Sequence, residues 1–108
     1  MADFIVNKAG AKVYKDINKH RVLNVPALSN ESEKGTVYNV LSVGILGGQR
    51  EPIVTVKETD GEVVVYRLPY DLVGWVENFM GMKLHGIDSF PAKVEFGKLN
   101  GRVYAEIL

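Results

Sequence analysis

IVTVKETDGEVVVYRLP, residues 53–69, is the stretch that decides the fold. Its two halves, 53–58 and 62–68, are rich in Val, Thr and Tyr, residues that suit a pleated, half-buried surface. Asp60-Gly61 between them is a hairpin signal, because a type I′ turn needs positive φ at both central residues. Pro69 closes the second strand. From Asp71 to Met80 the period changes: Leu72, Val73, Trp75, Val76, Phe79 and Met80 recur at helical spacing, with Asp71 as cap and Gly81 as stop. Trp75 and Phe79 are expected in the core, as aromatic side chains prefer burial.

Upstream, residues 37–45 form the longest strand candidate. Val37, Leu41, Val43 and Ile45 alternate onto one face, with Asn39 the exception. Tyr38, Val40 and Ser42 take the other face, and Gly44 marks a candidate bulge. Downstream, residues 92–96 and 102–107 are joined by Asn100-Gly101, a second hairpin signal. Three strands, one short helix and two strands predict a mainly β domain over residues 35–108, closed as a five-stranded Greek-key barrel; an SH3-like closure or an open sheet fits the same pattern. Residues 1–34 read as an N-terminal β extension, with short strands near 4–6, 12–14 and 21–25 and a polar loop over 26–34. That extension is too small to bury a core alone.

The chain has 108 residues, enough for one core. It contains no cysteine, which favours a reducing, cytoplasmic setting for so small a domain. Neither a signal peptide nor a membrane anchor is expected, as the apolar run near the N-terminus spans only Phe4, Ile5 and Val6. Thirteen basic and thirteen acidic residues balance, unlike the strongly basic composition of a dedicated duplex-DNA binder. The balance is local, however. Five basic and two acidic residues lie between Met1 and Asn24, against two basic and four acidic between Glu51 and Leu68.

Five phrases carry a resemblance: residues 38–43 (YNVLSV), 53–57 leading to Asp60-Gly61, 66–69 (YRLP) entering the helix, 90–94 (FPAKV), and 100–104 (NGRVY). In layout and in these phrases the stretch from Tyr38 to Leu108 resembles OB-fold single-stranded-DNA-binding proteins of the phage or replication type. The resemblance covers about two-thirds of the chain. It implies a barrel that binds single-stranded DNA, or RNA, with little sequence preference, as part of replication or recombination. The chain departs from bacterial members in having no acidic C-terminal tail, and its basic N-terminal extension is foreign to the barrel pattern.

A non-specific single-strand site needs cations that track phosphates and flat rings that stack on bases. In an OB barrel the second and third strands and two flanking loops supply them. Alternation places Thr55 and Lys57 outward on one strand and Val65 and Arg67 together on the next. The expected nucleic-acid-binding set is Tyr38, Arg50, Lys57, Arg67, Lys98, Arg102 and Tyr104. Lys8, Lys12, Lys15, Lys19, His20 and Arg21, interleaved with Tyr14, offer further phosphate contacts or merely solvate edge strands. The acidic residues Glu51, Glu58, Asp60 and Glu62 flank one hairpin and read as a solvated turn, since a turn tip has no pocket to shift a carboxyl pKa. His20 and His85 lie far apart, no cysteine accompanies them, and the glycine-rich residues 44–48 lack the ending of a phosphate loop. No catalytic motif, metal site or cofactor is expected. The alternative is a small β protein-interaction module of a phage or mobile element that binds a host protein; a homo-oligomer is compatible with either.

Overall fold

The computed structural model describes residues 3–108. Strands β1 (Phe4–Val6) and β2 (Lys12–Tyr14) form an antiparallel hairpin of their own. A 3-10 turn at Ile17–Lys19 follows, its start capped by the Asp16 carboxylate. Next come β3 (Ala27–Leu28), β4 (Thr36–Leu46), β5 (Glu51–Lys57) and β6 (Val63–Arg67). A second 3-10 turn, Tyr70–Leu72, leads into α1 (Val73–Leu84), and β7 (Ala92–Leu99) and β8 (Arg102–Ile107) complete the chain.

The main sheet runs β6–β5–β4–β7–β8 with every neighbour antiparallel, and β3 adds a short parallel pairing at Lys98 and Leu99 of β7. The mainly β architecture with one short helix is as expected from the sequence. Closure is not: among the described residues no ladder joins the edge strands β6 and β8. The backbone of Arg67 is occupied instead by the N-terminal segment, donating to the Arg21 carbonyl and accepting from Leu23 N–H, and Lys98 N–H donates to the Pro26 carbonyl. Val22, Leu23, Asn24 and Val25 thus line the seam beside Pro69, Lys98 and Val103. The strand expected over 21–25 is reduced to one bridge, Val22 with Arg67.

The core lies on one face of this sheet. Val40, Val54, Val56, Val94 and Phe96 are fully buried there, joined by Leu23, Leu68, Leu72 and Val76. The mixed pattern of β4 has a specific cause. Its register with β5 slips between Val40 and Ser42, so Leu41 is the extra residue of a bulge. Even-numbered side chains (Tyr38, Val40) face the core before it, and odd-numbered ones (Val43, Ile45) after it. The expected bulge at Gly44 is absent, since Gly44 pairs in register with Ile53.

A second, smaller core lies on the opposite face. Ile53 and Val65 are buried there beneath Ala11 and Val13 of the N-terminal hairpin, with Ile17, Leu46 and Val63 around them. Thr55, expected outward, is only 2 % exposed and accepts a hydrogen bond from the Asn7 amide at 3.0 Å. The extension is therefore a lid on the outer face of β5 and β6, packed as part of one domain.

The helix differs from expectation at both ends. The Asp71 side chain caps nothing, because residues 70–72 wind as a 3-10 turn before α1 begins. Gly81 lies within the helix. The stop is Gly86, at φ +84°, where Gly86 N–H bonds the Lys83 carbonyl and Ile87 N–H the Met82 carbonyl. That pair of bonds is a Schellman motif, which needs a left-handed residue after the helix end. Trp75, half-buried, packs against the core and meets Phe96, Phe79 and Phe90 edge-on, whereas Phe79, also expected in the core, is half-buried outside the core cluster. The Asp60-Gly61 turn is also not type I′. Only Gly61 has positive φ, and Gly61 N–H and Glu58 N–H close a three-residue loop. Asn100 and Gly101 both have positive φ, as a type I′ turn requires. No helix among the described residues is long and apolar enough to cross a membrane.

Candidate functional site

The seven residues expected to bind nucleic acid lie on several surfaces. Tyr38 faces the core side rather than solvent, because the bulge at Leu41 sets the parity before it. Its ring meets Phe96 edge-on at 6.0 Å and its hydroxyl donates to the Asn24 carbonyl at 3.0 Å, and burial raises its pKa. Arg67 is half-buried, with Nε donating to the His20 carbonyl at 2.9 Å. Arg50 sits in the β4–β5 turn and pairs with Glu77 of α1 at 2.9 Å, an exposed ion pair of little energetic weight. Lys98 stands exposed at the seam between β6 and β8. Val65, expected outward beside Arg67, is buried under the hairpin.

Lys57, Arg102 and Tyr104 do share the outward face of the sheet. Tyr104 lies across Gly97 so closely that a Cβ there would fall 2.7 Å from the ring. Its hydroxyl donates to Glu95 at 2.6 Å, and the same carboxylate accepts Gly35 N–H at 3.3 Å. Those two bonds hold the Glu95 carboxyl below its usual range, and the carboxylate in turn raises the Tyr104 pKa. By register Lys57 sits in one row with Asn39 and Lys93, while Tyr104 lies three strands across and four residues along. At ~4.8 Å between strands and ~3.3 Å per residue, that separation is roughly 20 Å. Glu95 and Glu106, directly opposite each other, lie between these rows. Lys93, omitted from the expected set, belongs to this face by the same alternation that places Lys57.

Three residues of the N-terminal basic run, Lys12, Lys19 and His20, have side-chain partners. Lys12 lies over the Phe4 ring at 5.0 Å, and Lys19 pairs with Asp3. His20 is 5 % exposed and acts as a pin. Its Nε2 accepts Tyr14 N–H at 2.9 Å, which leaves Nδ1 as donor to the Val65 carbonyl at 3.3 Å. Neutral imidazole alone can serve both roles. Adjacent sequence gives no hint of this pin, because it depends on packing 45 residues away.

What sequence reasoning did not find is the outer edge of β6. Glu58 N–H bonds the Glu62 carbonyl and Leu68 N–H bonds the Pro52 carbonyl, while Val64 and Tyr66 register with Val56 and Val54. Even-numbered residues of this strand therefore turn their backbone groups toward β5. Odd-numbered ones turn theirs away, as antiparallel pairing dictates. Arg67 spends its outward groups on Arg21 and Leu23, and the Val65 carbonyl accepts His20. Val65 N–H and both backbone groups of Val63 have no protein partner among the described residues.

These groups border a groove of about 750 Å³ between the N-terminal segment and the β5–β6 hairpin. Lys12, Tyr14, His20 and Arg21 line one wall; Glu58, Asp60 and Glu62 line the end beyond Val63. The Tyr66 hydroxyl donates to Glu58, and that bond, with burial, pushes the Tyr66 pKa up to about 12. The folded value exceeds the unfolded one of about 10, so this contribution to stability is complete below about pH 10. It is lost as the pH rises through about 12. Site-resolved NMR titration should find Tyr66 still protonated at pH 11, and Glu58→Gln should bring its titration back toward about 10. An unchanged midpoint in that variant would contradict the contact.

No family model, no curated protein and no solved structure matches this chain.

Proposed function

We propose that this protein is a non-enzymatic interaction module that takes an extended segment of a partner protein as an extra strand on β6. One observation carries the reading: a strand edge at which Val63 N–H, the Val63 carbonyl and Val65 N–H have no partner among the described residues, set in a groove of about 750 Å³. Strand addition to an open edge is a recurring mode of peptide recognition, with main-chain bonds giving affinity and flanking pockets giving specificity. Each such bond contributes about 0.5–1.5 kcal/mol net. Three of them, over so short an edge, suit a transient complex. An edge left open also invites unwanted pairing. The lack of cysteine supports a reducing, cytoplasmic setting.

A second reading keeps the OB resemblance. It is supported by the sheet order β6–β5–β4–β7–β8, with the helix between the third and fourth of the main strands in chain order, an order compatible with an OB topology opened at one seam. Lys57, Lys93 and Arg102 on the face that carries Tyr104 favour single-stranded nucleic acid there. Chemical-shift mapping separates the two. A neutral peptide of alternating Thr and Val should shift and protect the Val63 and Val65 amides, with little effect of salt. An oligothymidylate should leave them unmoved. Shifts around Tyr104 and Lys93 with the oligonucleotide, abolished by raised salt, and none on β6 with the peptide would establish the second reading and overturn the first.

A further inference from the structure

The groove beside β6 is electrically asymmetric along the strand. At the Arg67 end, Arg21 is held in place through its own carbonyl, which accepts Arg67 N–H. Its side chain is exposed and forms no ion pair among the described residues. Of the other cations lining the groove, Lys19 is paired with Asp3, while Lys12 lies over the Phe4 ring and keeps its full charge. At the Val63 end stand Glu58, Asp60 and Glu62. Glu58 receives the Tyr66 hydroxyl and Asp60 receives Glu62 N–H, but none of the three carboxylates meets a cation among the described residues. Charge of opposite sign that enters no ion pair among the described residues thus marks the two ends of the free edge, and the Arg21 charge is also felt at the Tyr66 hydroxyl that Glu58 accepts. Four residues of strand separate Val63 from Arg67, roughly 13 Å.

Resting on the strand-addition reading, we infer that the segment taken by β6 is bipolar. It carries a carboxylate side chain at the end beside Arg21, and an ammonium or guanidinium side chain about four residues away, beside the Glu58–Glu62 turn. Charge of the wrong sign at either end meets like charge there, so the ends select the segment and set its direction. The backbone bonds between them are indifferent to sequence. Neutral Thr and Val side chains suit the interval, because Val63, Val64 and Val65 line it.

The test uses four blocked heptapeptides on the intact chain at low salt: Thr-Glu-Val-Thr-Val-Lys-Thr, its reverse Thr-Lys-Val-Thr-Val-Glu-Thr, and the two versions with Glu or Lys at both charged positions. Both bipolar orders are needed because a strand can add parallel or antiparallel to β6. One of them is expected to bind at least tenfold more tightly than either like-charged peptide, with the Val63 and Val65 amides shifting. Arg21→Glu should transfer the preference to the doubly Lys peptide, and Glu62→Lys should weaken the bipolar preference from the other end. Both positions are exposed, and circular dichroism verifies that each variant folds. Equal binding of all four peptides at Val63 and Val65 would overturn the bipolar inference while leaving strand addition intact. Failure of every peptide to touch β6 would overturn strand addition itself.

Discussion

Phe96→Ala is expected to destabilise the protein by about 3–5 kcal/mol, the usual cost of truncating a fully buried aromatic. Phe96 has no exposed surface and holds together three elements: its ring meets Tyr38 of β4 and Trp75 of α1 edge-on, and its carbonyl abuts Gly35 at the start of β4. Alanine would leave a cavity where helix and sheet meet, and the fused aromatic contacts let little of it collapse. For a domain of ordinary stability, ~5–15 kcal/mol, the loss is a large fraction of the whole. Urea denaturation checks it through a fall in the midpoint at unchanged slope. Leu84→Ala serves as the control. Leu84 is 89 % exposed, so the change should stay within about 0.5 kcal/mol. Equal effects of the two substitutions would place the core elsewhere.

His20→Leu is expected to cost about 2–4 kcal/mol, and the damage should be local. Leucine fills much of the volume but strips Tyr14 N–H of its acceptor and the Val65 carbonyl of its donor. Each buried polar group left unsatisfied costs about 1–3 kcal/mol. The hairpin of β1 and β2 should then open more often than the rest of the molecule, uncovering Ile53 and Val65 while the Val54–Val94–Phe96 core stays closed. Hydrogen exchange distinguishes this from global loss. Amides of β2 should lose protection in the variant while those of β5 facing β4 keep theirs. A uniform drop over both cores would mean that the hairpin and the main sheet unfold as one unit. His20→Gln, which retains a donor and an acceptor, should lose less.

The contrast between the two cores shows where sequence reasoning reached and where it stopped. The strands flanking Asn100-Gly101 were legible because turn chemistry and alternation agree there. The bulge was misplaced because glycine is the usual sign of one, whereas in β4 the slip falls at Leu41, an apolar residue that fits either face. Helix length was misread for a related reason. Gly81 and Gly86 are equal as letters, and only Gly86 has the carbonyls of Met82 and Lys83 to satisfy. Alternation correctly put Thr55 and Val65 on the face away from the main core, yet nothing local states that Ala11 and Val13 cover that face. A β strand reads the same to solvent and to a second layer when that layer comes from a distant segment.

The candidate site illustrates the same limit. Charged and aromatic residues can be counted in sequence, and three of the seven expected binding residues do share a face. Tyr38 leaves that surface because the bulge at Leu41 turns it to the core side, where its hydroxyl donates to the Asn24 carbonyl, and Arg67 is half-buried with its Nε on the His20 carbonyl. An open strand edge leaves no compositional trace. Val63 and Val65 carry it through backbone groups that every residue but proline has, and whether those groups are paired depends on where the chain turns away. Here the turn away is made by His20 and the 3-10 turn before it, which lift the N-terminal segment off β6 just short of Val65.

The most direct measurement is residue-resolved amide exchange along β6, with and without the Thr-Val peptide. In the free protein an alternation is expected: Val64 and Tyr66, bonded to β5, exchange slowly, and Val63 and Val65 exchange fast. Peptide should slow Val63 and Val65 alone. Slow exchange at all four positions in the free protein would contradict the open edge, and fast exchange at Val63 and Val65 under saturating peptide would contradict its use.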